Sequence, residues 1–176
     1  MNYSVLQSVA KQPANPPGNP PPAFDRGAVE AVIVQRKAMP GAMLPILHGV
    51  QEKIGYIPPE AVQLIADELN VSRAEVHGVI TYYHYFRQTP PGRHVVQICR
   101  AEACQAVGGE ALAAHAKAAL GCDFHETTAD GAFSLESVYC LGQCACGPAV
   151  MMGDELHARV SPGKLDRLLD AKRGAP

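Results

Sequence analysis

Most signatures that would announce a chemistry of its own are missing from this chain. None of Gly-x-Gly-x-x-Gly, a Walker-type phosphate loop or His-Glu-x-x-His occurs in its 176 residues, so dinucleotide and phosphate binding must come from elsewhere. No apolar run approaches the roughly 20 residues needed to cross a bilayer, which predicts no direct membrane insertion. The opening stretch MNYSVLQSVA carries no charged leader, and the first lysine is Lys11. The expectation is a cytoplasmic protein. A formal net charge of −2 with no basic block argues against nucleic acid or a membrane surface as partner. No two cysteines stand in Cys-x-x-Cys spacing, which excludes a thioredoxin-type dithiol. The length suffices for one ordinary core or two small ones, so disulfides are not needed as staples, and a reducing cytosol makes them the least expected use of the thiols.

What the chain does have is clustered thiol. Of its six cysteines, three fall inside seven residues of VYCLGQCACGPAVMM, residues 138–152. Cys140 and Cys144 stand as Cys-x3-Cys there, and Cys99 and Cys104 stand as Cys-x4-Cys upstream. Two pairs on two loops make a four-thiolate site. Tetrahedral zinc and a [2Fe-2S] cluster both accept four thiolates, and spacing alone leaves the two open. With zinc the chain would be a metal-stabilised binding module, and with a cluster it would be an electron carrier. A cluster is anionic, so its loops must offer backbone N–H donors and curl closely around sulfur, which Gly142 and Gly147 permit.

The two cysteine pairs sit in the second half of a chain that changes character twice. Residues 11–25, KQPANPPGNPPPAFD, hold six of the fifteen prolines and predict an extended tail over 1–26. Helical spacing follows. Leu44, Leu47, Val50 and Ile54 share a face ended by Gly55, and Val62, Ile65 and Leu69 share another behind Pro59. Ser72 and Glu75 form a capping box for a third helix, with Val71 and Val76 as its staple. This helical domain, 27–90, ends at the linker QTPPG. Residues 91–176 then read as strand His94–Ile98, helix Gly108–Leu120, strands over 132–138, 148–152 and 156–160, and a last helix behind Ser161-Pro162. The fold class expected is α+β: an N-terminal helical bundle followed by an α/β domain with a small mixed sheet.

The stretch LPILHGVQEKIGYIPPEAVQLIADELNVSRAEVHGVITYYHYF, with the two cysteine pairs in this order, resembles the thioredoxin-like [2Fe-2S] subunit family of NADH dehydrogenases. That family occurs also in NAD-linked hydrogenases and molybdenum formate dehydrogenases. The resemblance implies a thioredoxin-like second domain and one [2Fe-2S] cluster held by Cys99, Cys104, Cys140 and Cys144. It leaves Cys122 and Cys146 as free thiols. It also implies a partner subunit that binds FMN, NAD and further iron-sulfur clusters, and no catalytic residue in this chain. VSRAEVHGVITYYHYFRQTPPGRHVVQICRAEACQAVG is most similar to the branch serving NAD-dependent, molybdenum-containing formate dehydrogenases. The catalytic partner implied is a molybdenum subunit oxidising formate, with NADH:quinone oxidoreductase and NAD-linked hydrogenase as the alternative parents.

Two other features have plain readings. Tyr82-Tyr-His-Tyr-Phe86 at a helix end is expected as core or interface rather than a cofactor stack. Arg100, beside Cys99, would raise a cluster's potential by its charge, but as an exposed side chain it would be screened.

Overall fold

A computed structural model describes residues 24–173, so all but the last three residues of the predicted tail lie outside the described residues. The chain divides between Pro91 and Gly92 into two compact units.

The first unit is helical. Helix α1, Arg26–Arg36, starts on Asp25, whose carboxylate accepts from the Ala28 N–H at 2.9 Å. Helix α2, Met43–Ile54, ends on Gly55 in the left-handed conformation, as its position predicts. Helices α3, Pro59–Leu69, and α4, Arg73–Tyr82, follow, and the capping box at Ser72 and Glu75 is formed in both directions. The apolar faces meet in one core of Val29, Ile33, Ile46, Leu47, Val50, Ile65, Val76 and Ile80. Each such side chain, fully buried, contributes about 1.5–3 kcal/mol relative to exposure. Gln51 is buried among them without loss, since its Nε2 donates to the Tyr85 carbonyl and its Oε1 accepts from the Arg87 N–H. That pair of bonds brings the segment after α4 back onto α2. Phe86 enters the core, while Tyr82, Tyr83 and Tyr85 remain exposed.

The second unit is built on strand β1, His94–Cys99. A short helix α5, Glu102–Ala106, and then α6, Gly109–Leu120, lead across to the two-residue β2, Glu126–Thr127, and to β3, Phe133–Val138. A 3-10 turn, Cys144–Cys146, precedes β4, Val150–Met152, which hairpins into β5, Glu155–His157. Helix α7, Pro162–Arg173, closes the unit. The sheet order is β2-β3-β1-β4-β5. β1 runs parallel to β3 with Cys99 opposite Val138, and antiparallel to β4 with Ile98 opposite Val150. The result is a βαβ half joined to a ββα half, which is a thioredoxin-like layout with a mixed sheet. Leu112, Ala116 and Leu120 of α6 and Leu165 and Leu169 of α7 cover Val96, Ile98, Phe133, Leu135, Val150 and Met152.

Three sequence expectations shift. The predicted strand over 156–160 is shorter and earlier, because Val160 is drawn under α7 into the core while Leu156 stays exposed. The Cys-x4-Cys segment contains α5 where a loop was expected. Helix α1 adds a fourth member to the bundle ahead of the first helix predicted.

Candidate metal centre

Strand pairing delivers the four cysteines of the two spaced pairs to one end of the sheet. Cys99 is the last residue of β1, and its N–H donates to the Ala149 carbonyl just ahead of β4. Arg100 N–H donates to the Val138 carbonyl at the end of β3, and Gln105 Nε2 returns to the Arg100 carbonyl at 2.7 Å. These bonds anchor both ends of the Cys-x4-Cys segment. Helix α5 then turns Cys104 back under Cys99. Both are 1 % exposed and pack with Ala149, flanked by Ala101, Val138 and Leu141.

The second pair lies on the outside. Cys140 and Cys144 are exposed, with their sulfurs 3.6 Å apart, and the Gly142 N–H donates to Cys140 Sγ at 3.3 Å. Cys140 itself takes φ 110°, an unfavourable conformation for any residue with a side chain, which turns its sulfur into this loop. Among the described residues, no three or more His, Cys, Asp or Glu surround a single point as a ready ion site. The thiols are arranged in pairs.

Electrostatics ties the pairs together. Burial opposes ionisation of Cys99, yet the backbone N–H groups of Ala101, Leu141 and Cys140 and the Cys104 thiol hold its pKa below the ordinary thiol value. Cys104 is pushed up by burial and then by its bond to Cys99, against a donor at Ala149, and it also senses Cys144. Cys144 is pushed up by its bond to Cys140 and by that group's charge, and it senses Cys99. One thiolate is prepared and its neighbours resist following it. A cationic occupant relieves the resistance of Cys104 and Cys144, so the donor set suits a thiolate-bound metal centre.

The close approach expected at Gly147 is present: a Cβ there would stand 3.3 Å from Cys104 Sγ and 2.8 Å from Val107 Cγ2. Cys146, partly exposed, follows Cys144 in the 3-10 turn, and Cys122 packs beside the sheet core with its pKa raised chiefly by burial. Sequence reading missed the donors Ala101, Leu141 and Ala149, because backbone N–H groups carry no residue signature. It also misjudged Arg100, whose side chain is only 24 % exposed and reaches Glu110 at 2.7 Å.

The fold and its thiols define a thioredoxin-like domain that carries ligand-spaced cysteines in place of a redox dithiol. The sequence profile of the thioredoxin-like [2Fe-2S] ferredoxin family matches residues 29–173, and the chain belongs to that family. Among its relatives is the NADP-reducing hydrogenase subunit HndA of Solidesulfovibrio fructosivorans, 34% identical over 73% of this chain and 75% of the relative. Another is a subunit of the NADH-quinone oxidoreductase of Rhizobium meliloti (strain 1021), 35% identical over 85% and 89% respectively. The corresponding NADH-quinone oxidoreductase subunit of Escherichia coli (strain K12) is 32% identical over 84% and 89%. Among solved structures, an NAD+-reducing [NiFe]-hydrogenase in the H2-reduced state superposes with a TM-score of 0.62. That match, at 21% identity, covers 74% of this chain but only 22% of the hydrogenase chain, and it shows the fold alone.

Proposed function

We propose that Cys99, Cys104, Cys140 and Cys144 hold one [2Fe-2S] cluster, and that the chain passes single electrons to or from a partner subunit binding FMN and NAD. Its class is that of its relatives: an electron-transfer subunit of an NAD-linked oxidoreductase complex. The observation that supports the ligand set most directly is the buried pair Cys99 and Cys104 beside the exposed pair Cys140 and Cys144 at one end of the sheet.

When bound, the cluster supplies one-electron redox chemistry. The chain's own groups prepare for it. Donors from Ala101, Leu141 and Cys140 favour thiolate at Cys99, and the Gly142 N–H donates to the Cys140 sulfur. Cys99, Cys104 and Ala149 keep water from one side. Cys140 and Cys144 leave the other side open, which is the edge a redox partner can approach. Residues 91–176 would thus be the cluster-bearing domain and 27–90 the part that helps dock the flavin subunit.

The parent complex in this reading is a cytoplasmic NAD-dependent formate dehydrogenase with a molybdenum catalytic subunit. Its support is the likeness of VSRAEVHGVITYYHYFRQTPPGRHVVQICRAEACQAVG and VYCLGQCACGPAVMM to that branch. Among the described residues no helix is long and apolar enough to cross a membrane. Co-purification of the complex with assay of formate-dependent NAD reduction tests the assignment. Activity with formate is expected, and a complex that instead reduces quinone or oxidises hydrogen would move the chain to another parent. Iron and acid-labile sulfide analysis tests the cluster, with zinc in their place as the contradicting result.

A further inference from the structure

We infer that Arg100 and Glu110 set the reduction potential of this centre as an opposed pair of charges, with Arg100 raising it and Glu110 offsetting that rise. The inference rests on the proposed ligand set, because Arg100 is covalently next to Cys99.

Arg100 leaves the end of β1 beside the buried thiol. Its Nη2 lies 2.7 Å from Glu110 Oε1 in the first turn of α6, and its guanidinium stands over the Phe124 ring, 5.3 Å from the centroid. Lys117 Nζ approaches the same ring at 4.8 Å and is itself paired with Asp123. Arg100 is therefore held by three elements: its own strand end, the start of α6 and the segment after α6. Its Nε is buried and has no hydrogen-bond partner in the protein. A buried cationic donor without a partner is costly, and a neighbouring anionic centre lowers that cost by its field.

The charge acts without contact. A cluster gains negative charge on reduction, so a nearby cation stabilises the reduced form and raises the potential. At 24 % exposure Arg100 is less screened by salt than a solvated side chain would be, whereas the Glu110 side chain at 58 % is the softer partner. Phe124 offers the guanidinium a second hold, so neutralising Glu110 does not free it.

The test is a redox titration of the full chain, reconstituted with iron and sulfide and followed by electron paramagnetic resonance, for the parent, Arg100→Gln, Arg100→Lys and Glu110→Gln. The expected potentials fall in a fixed order: Glu110→Gln above the parent, Arg100→Gln below it, and Arg100→Lys close to it. A merely structural clamp would move Arg100→Gln and Glu110→Gln in the same direction, and that result, or no shift in either, overturns the inference. If Arg100→Gln fails to retain its cluster, Glu110→Gln still decides the sign, and a potential at or below the parent's in that variant overturns the inference. A parent chain that takes up no iron and sulfide would overturn the ligand assignment and this inference with it.

Discussion

Gly147 packs tightly against Cys104: a Cβ on Gly147 would lie 3.3 Å from the Cys104 sulfur, closer than ordinary contact, and 3.4 Å from its Cα. Gly109 presses on the same cysteine from α6, where a Cβ would come within 2.6 Å of the Cys104 carbonyl oxygen. The first clash is partly with an exposed Val107 that can turn away, and the second is with backbone that cannot. Gly109→Ala is therefore expected to lower stability by about 1–3 kcal/mol. Gly147→Ala is expected to reduce iron and sulfide uptake with a smaller loss of stability. Urea unfolding and metal analysis of both variants check this, and the idea fails if Gly109→Ala is as stable as the parent.

Serine at Cys104 or Cys140 is expected to abolish or badly impair cluster binding, while Cys122→Ser and Cys146→Ser keep it. Iron and sulfide content of the four purified proteins is the measurement. A Cys146 variant that lost the cluster while a Cys104 variant kept it would reassign the ligands.

Ser72 accepts from the Glu75 N–H at 3.2 Å, and the Glu75 carboxylate reaches back to the Ser72 N–H at 2.8 Å, which keeps the Glu75 pKa below the ordinary value. Ser72→Ala should cost about 1 kcal/mol, read as a lower denaturation midpoint of the helical unit with the cluster content unchanged.

His125 Nδ1 lies 2.7 Å from Glu136 Oε2, and that bond is the main reason its pKa is raised despite burial. Folding thus favours the protonated ring. The stabilisation is complete below the unfolded-state value of about 6.5 and is lost as pH rises through the higher folded-state value. The stability difference between the parent and His125→Gln should narrow from about pH 5.5 to pH 8.5. Unfolding curves at the two pH values check the sign, and a gap that widens with pH contradicts it.

How much was legible in the residues follows from the range of each signal. Helices α2 to α4 and α6 announce themselves by apolar spacing and by Gly55, Ser72 and Gly121 at their ends. Helix α1 has the same spacing at Val29, Val32 and Ile33, but it follows directly on the proline-rich stretch and offers no strong stop signal. β2 has two polar residues and exists only because β3 pairs with it. At the site, spacing alone displayed the two thiol pairs, while their division into buried and exposed depends on β1, β3 and β4 meeting. The contact of Arg100 with Glu110 spans ten residues and a helix, and nothing local encodes it.

The most direct test of electron carriage by a [2Fe-2S] cluster is electron paramagnetic resonance of the reconstituted chain, without partners, after treatment with dithionite and separately with NADH. NADH gives up a hydride, two electrons at once, and a [2Fe-2S] cluster takes one, so a flavin has to stand between them. The expected result is a reduced-cluster signal of about one spin per chain with dithionite and none with NADH alone. Rapid reduction by NADH without a flavin subunit, or a zinc-containing chain silent with either reductant, would contradict it.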